Sequence, residues 1–133
     1  MALLLDTCAV IWLLKEEAMS AESVAAIDAE TKAGRDIFLS PTSAWELGML
    51  ESLERVVFAG DVIRRIEGLA GLAFAEQTPR LLYDSNFLPG QPPNDPADRN
   101  IIATAREFGL QLVTRDAAIL TYGKAGHVRC LAC

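Results

Sequence analysis

The chain has 133 residues, 51% of them hydrophobic and 23% charged, with a formal net charge of -6. This length suits one domain, residues 1–133, and the apolar share excludes a disordered chain, which buries too little to offset its ordering entropy. The acidic balance excludes a protein that grips nucleic acid with its whole surface, because such binders carry a basic excess.

MALLLD is an apolar run stopped by an acid, the pattern of a strand buried on both faces. A helix follows at once, with Thr7 as its cap and Val10, Leu13 and Leu14 at helical spacing. Residues 20–33 form a second helix, capped by Ser20, with Val24 and Ile27 on its apolar side. DIFLS is the second strand, and Ser40-Pro41 opens a helix running through TSAWELGMLESL. A further helix is expected over residues 60–73, then a short strand at FAEQ. Residues 84–94, DSNFLPGQPPN, read as a loop. Asp95-Pro96 then opens a strong helix that Gly109 closes. LQLVT is a strand, Ala117 to Tyr122 a short helix, and HVRCLAC an edge strand. Short apolar strands between helices predict a three-layer α/β/α sandwich around a largely parallel sheet. Right-handed crossovers would gather the C-terminal ends of the strands on one edge, where a site would lie.

No apolar run approaches the roughly 18 residues that cross a membrane, and the first residues lack a basic start. A soluble cytoplasmic protein is expected. The three cysteines, Cys8, Cys130 and Cys133, do not make a disulfide framework. With His127 they offer zinc-binding atoms at the wrong spacing. That histidine is the only one, which leaves Ser-His-Asp and Cys-His catalysis without support. No GxGxxG or GxxxxGK[ST] segment is present. The charge is uneven: residues 1–54 hold three basic and ten acidic side chains, residues 55–133 nine and eight. An enzyme holding metal on carboxylates remains open, as does an acidic face that receives a basic partner.

The acids become informative once placed on this skeleton. Asp6 ends the first strand, and Asp116 follows VT at the end of a later one. Glu46 shares a helical stripe with Ser43, Leu47, Leu50 and Leu53, which puts it on or beside the inward face. A partly buried carboxylate there needs a proton, a basic partner or a metal. The plain alternative is an acid whose stem covers apolar surface while its charge stays in water. Asp95 and Asp98 are placed to cap a helix, and capping alone could account for either. Asp98, however, also shares a face with Ile101, Ile102 and Ala105. Asp6, Glu46, Asp98 and Asp116 therefore converge on one edge, with no lysine or histidine evident among them. Uncompensated, they would repel and shift upward in pKa. A divalent cation with oxygen ligands removes that cost, and such a site suits phosphodiester hydrolysis.

At these residues the sequence resembles the PIN-domain ribonucleases, in particular VapC-type toxins of toxin–antitoxin pairs. LLLDTCAVIWLL, SPTSAWELGML, NDPADRNIIATA and LVTRD carry the resemblance in the family's order. It implies a Mg²⁺- or Mn²⁺-dependent, single-strand-preferring endoribonuclease that dimerises and is restrained by a cognate antitoxin. Asp6, Glu46, Asp98 and Asp116 correspond to the family's catalytic, metal-binding acids. Asp95 corresponds to an additional acid of one branch, and Arg99 is an accessory phosphate contact or a helix-start pair. Pro93 and Ala97 depart from the histidine and phenylalanine of that branch. The implied reaction uses metal-activated water and leaves 5′-phosphate and 3′-hydroxyl ends. A non-catalytic acidic interaction domain and a PIN-like nuclease acting on DNA are the alternatives.

Trp12 and Trp45 lie in apolar helical patterns and are expected in the core or on a partner face. The antitoxin is expected to lay a helix into an apolar groove with an acidic rim on the first two helices, lined by Trp12, Leu13, Leu14, Val24 and Ile27. An arginine from that partner would reach the acids.

Overall fold

Three successive leucines, without a polar alternate, suit a strand covered on both sides. In the computed structural model, which describes residues 1–133, they form β1 (Leu3–Leu5), each leucine exposed by 1% or less. The remaining strands are β2 (Ile37–Leu39), β3 (Leu72–Phe74), β4 (Gln111–Thr114) and β5 (Cys130–Ala132). All five pair in parallel, in the order β3-β2-β1-β4-β5. The helices are α1 (Thr7–Lys15), α2 (Ala21–Lys32), α3 (Pro41–Ser52), α4 (Val62–Glu67), α5 (Pro79–Asp84), α6 (Pro96–Phe108) and α7 (Ala117–Lys124). None is long and apolar enough to cross a membrane.

The pleat divides the core in two. Leu3 and Leu5 face one side, with Val10, Leu14, Leu47, Val62 and Ile66 from α1, α3 and α4. Leu4 faces the other, with Ile101, Ile102, Ile119 and Tyr122 from α6 and α7. Each such side chain contributes about 1.5–3 kcal/mol on burial. The α/β/α sandwich expected from the sequence is the fold. From β1 the chain builds outward through β2 and β3, then returns to the other side of β1 with β4. That reversal opens a crevice beyond the C-terminal ends of β1 and β4, the usual ligand position in such sheets.

The structure differs from the sequence-based elements at five points. Asp6, not Thr7, caps α1, since its carboxylate accepts the Ala9 amide. On α2 it is Ser23 and Glu30 that are buried, one helical face apart from Val24, which is 45% exposed. The helix expected over 60–73 is only α4, because the chain turns at Gly68 and again at Gly71, which has φ +86°. The strand placed at FAEQ starts earlier, at Leu72, in register with β2. Finally, α5 and a 3₁₀ turn at Ser85–Phe87 precede and enter the stretch read as loop.

A candidate metal centre at the strand ends

Asp6 leaves β1 and caps α1, accepting the Ala9 amide at 2.8 Å on one oxygen. Its other oxygen accepts a short hydrogen bond from the hydroxyl of Thr114, the last residue of β4. The Thr114 oxygen in turn accepts the Asp116 amide at 3.0 Å. One hydroxyl thus ties together the two strand ends that border the crevice. Asp116 caps α7 through the Ile119 amide at 2.9 Å. Glu46, on α3, accepts the Thr7 hydroxyl at 2.6 Å, while Ser43 Oγ stands 3.0 Å from the same threonine oxygen. A hydroxyl has one proton, and Glu46 is the nearer and charged acceptor of the two that Thr7 faces. Asp98 lies in the first turn of α6, partly buried, just after the cap Asp95, which accepts the Ala97 amide at 2.8 Å.

These acids feel one another. Burial, then the charges of Asp95, Asp116, Glu46 and Asp6, push the Asp98 carboxyl up to about 7. Asp6 is raised chiefly by burial, with Asp116 adding to the rise, while the bonds from Thr114 and Ala9 oppose it. Glu46 is raised by burial and by Asp95 and Asp6, against the pull of Thr7. Glu30 supplies the contrast within the same chain. It is as buried as Asp6, yet Arg35 bonds it at 2.6 Å and holds its carboxyl below the usual range. None of the four ion pairs of the chain reaches the crevice acids. Repulsion there is uncompensated by any protein cation.

Hard carboxylate oxygens without a basic neighbour match the chemistry of Mg²⁺ or Mn²⁺. No three acidic, histidine or cysteine side chains stand close enough to hold an ion directly as they lie. A hydrated Mg²⁺ fits such looser spacing, because it takes one or two carboxylates and keeps several waters. The donor set therefore suits a magnesium-like ion and not a closed zinc site.

The remaining candidates have other duties. Arg99 donates to the Pro93 carbonyl at 2.6 Å and so ties the α6 start to the loop before it. Arg115 stacks on Trp12, 3.5 Å from the ring centre, and donates to the carbonyl of Cys133 at 2.8 Å. His127 stacks on Tyr122 with ring centres 4.7 Å apart. The Cys8 thiol is pushed up by burial and by the crevice acids, so it stays protonated and is no nucleophile. Trp45 is 65% exposed, which removes it from the core and leaves the partner-face reading. The groove expected on α1 and α2 is largely consumed by packing: Leu14 is buried, and Trp12, Leu13 and Ile27 lie against the core. Sequence reasoning missed the Thr7 and Thr114 hydroxyls as positioning groups. Their only linear signal was a threonine directly after Asp6 and another two residues before Asp116.

The PIN domain family profile matches residues 3–125. Ribonuclease VapC22 of Mycobacterium tuberculosis (strain ATCC 25618 / H37Rv) is 34% identical over 88 residues, which make up 65% of this chain and 68% of that protein. Two solved structures share the fold. VapBC-1 from nontypeable Haemophilus influenzae matches with a TM-score of 0.62 and 19% identity, over 99% of this chain and 98% of that one. FitAcB from Neisseria gonorrhoeae gives 0.56 and 21%, over 97% and 96%. The span matched by the profile begins in β1 and ends just past α7, so it takes in all five crevice acids, and the chain belongs to the PIN domain family.

Proposed function

We propose that the chain is a Mg²⁺- or Mn²⁺-dependent endoribonuclease, the toxin of a toxin–antitoxin pair. The observation that carries this reading is the set of mutually raised carboxylates, with no protein cation, at the switch point of a parallel sheet. The name of its relative, Ribonuclease VapC22, supports RNA as the substrate.

In this reading Asp6 and Asp98 are the principal metal ligands, and Glu46 and Asp116 complete the site partly through water. When bound, such an ion would supply an activated water and would stabilise charge on the phosphate and the leaving 3′ oxygen. Thr114 and Thr7 orient Asp6 and Glu46 through one oxygen each, and the helix caps hold the other Asp6 oxygen and one Asp116 oxygen. Action in the cytoplasm belongs to the same reading.

A cognate antitoxin supplies the restraint that such an activity needs. Its contact surface is the acidic exterior of α1 and α2, where Glu16, Glu17, Glu22 and Asp28 are exposed. A homodimer would cover a different face. Trp45, Met49 and Leu53 recur every four residues along α3 and are 65%, 37% and 55% exposed. Tyr83 and Phe87, 58% and 70% exposed, lie beyond the other flank of the α6 start. Trp45→Glu should then convert a dimer to a monomer in light scattering.

The deciding experiment is cleavage of a labelled single-stranded RNA with Mg²⁺, Mn²⁺ or chelator. Turnover should require the ion and fall at least a hundredfold in Asp6→Asn and Asp98→Asn, with folding retained by circular dichroism. Full activity in chelator, or 2′,3′-cyclic phosphate ends, would reject metal-assisted water attack. Equal turnover of a matched DNA strand would move the substrate to the DNA alternative. Metal binding without any cleavage would favour the non-catalytic acidic domain.

A further inference from the structure

A groove of about 910 Å³ starts at the crevice acids Asp95 and Asp98 and runs along α7 over Ala118, Thr121 and Ala125 to His127. At His127 it meets a second groove of about 930 Å³, which is lined by Arg106, Lys124 and Arg129. The first groove is floored by small side chains of α7, so its width is set by the loop at residues 91–94. That loop is pinned: the Tyr122 hydroxyl donates to the Pro89 carbonyl at 2.5 Å, and Arg99 holds Pro93. The far end is cationic. Arg106 donates to the His127 carbonyl and Arg129 to the Met1 sulfur, but none of the three cations pairs with an acid. The two grooves share His127 as a lining residue, so a carboxylate cluster and an unneutralised basic cluster lie on either side of it, about one α7 length apart, on the order of 12 Å.

We infer that the two grooves act as one channel, passing outside His127, that seats the single-stranded RNA substrate: the phosphate to be cut lies at the acids, and phosphates a few nucleotides along the strand lie on Lys124, Arg129 and Arg106. Charge supports this occupant over a protein segment. A chain of net charge -6 repels a polyanion over most of its surface, and this end of α7 concentrates three of its twelve cations. The floor of alanines and threonine suits a backbone track more than base stacking, since no aromatic side chain on α7 faces a free base except Tyr122, which His127 already covers. The basic cluster would therefore add affinity and orientation without reading sequence.

The inference rests on the nuclease reading above, and the test separates the two. Lys124→Gln/Arg129→Gln removes two cations that hold no fold-critical bond. Binding of a fluorescein-labelled single-stranded RNA of about a dozen nucleotides is followed by anisotropy in chelator, and cleavage by gel with Mg²⁺. Each phosphate contact is worth roughly fivefold at about 0.1 M salt for a single strand, so the variant should bind at least tenfold more weakly. Its salt slope should fall by about 1.4. KM should rise by the same factor with kcat unchanged, while a dinucleotide, whose one bridging phosphate sits at the acids and cannot also reach the basic cluster, should be cut equally by both proteins. An unchanged affinity and slope, or an equal loss on the dinucleotide, would overturn the channel even if the wild-type chain cleaves RNA. Binding that depends on Lys124 and Arg129 without any cleavage would instead uphold the channel and reject the nuclease.

Discussion

Thr114 serves two groups with one hydroxyl: it donates to Asp6 and accepts the amide of Asp116. Asp6 is buried, so an unmade bond there carries its full desolvation cost, whereas Asp116 is exposed to water. Thr114→Val keeps the shape but orphans both, and should cost about 1–3 kcal/mol in urea unfolding. It also removes the bond that opposes the rise of the Asp6 carboxyl, so Mg²⁺ affinity and turnover should both fall. Thr114→Ser should restore most of each. A valine variant as stable and as active as the parent would show that the hydroxyl is incidental. Asp95 is a sharper case, because capping and catalysis overlap there. Asparagine caps nearly as well as aspartate, so Asp95→Asn should cost about 0.5 kcal/mol or less in stability. Any larger loss, if seen only in turnover, then measures the Asp95 charge acting on Asp98 and Glu46.

At the level of elements, the α6 start is positioned by the loop before it as much as by its own cap. Gly90 has φ +69°, and a Cβ there would stand 2.5 Å from His127 Nε2, so the loop lies directly over the Tyr122–His127 stack. Gly90→Ala should lower stability in urea unfolding by the backbone strain and the clash together, about 1–3 kcal/mol. Gly34→Ala has a similar φ of +71° but open space, and isolates the strain alone. Equal losses would mean that the loop yields and the His127 contact is immaterial. The elements also show what a linear reading can and cannot reach. β1, β4 and α6 were legible because apolar runs and a Pro-to-Gly helix frame are local signals. Where Asp6, Glu46, Asp98 and Asp116 stand was legible because strand ends and helix faces fix where a side chain goes; their part in a metal site is the proposal above. α5 was not legible, since six residues give less than two turns of periodicity. The face of α2 was only half legible: Ile27 packs against the core but Val24 is exposed, and burying Glu30 instead depends on Arg35 and the chain's own amine at residue 1. The threonine hydroxyls were out of reach for the same reason: residues 114 and 6 become neighbours only when β1 and β4 pair.

Across the whole molecule, the crevice works against the fold unless protons or cations enter it. A free aspartate ionises near pH 3.8, but burial first and then its acidic neighbours raise Asp98 to about 7 in the folded chain, and Asp6 and Glu46 are raised in the same sense. Between those limits the folded state holds more protons than the unfolded one. Stability must therefore fall as pH rises through that window and level off above about pH 7. Glu30 acts oppositely, since its lowered carboxyl favours the fold until the pH falls into the acid range. The metal-free protein should thus have a higher Tm near pH 5 than near pH 8, by a few degrees. A bound divalent cation competes for the same oxygens, so Mg²⁺ should raise Tm far more at the higher pH. With saturating Mg²⁺ the slope should flatten or reverse, and Asp98→Asn should remove most of it in chelator. Differential scanning calorimetry at the two pH values, with and without Mg²⁺, reads all of these. A chelated protein whose Tm climbs from pH 5 to 8, or a Mg²⁺ shift equal at both, would mean that these carboxylates do not share one site.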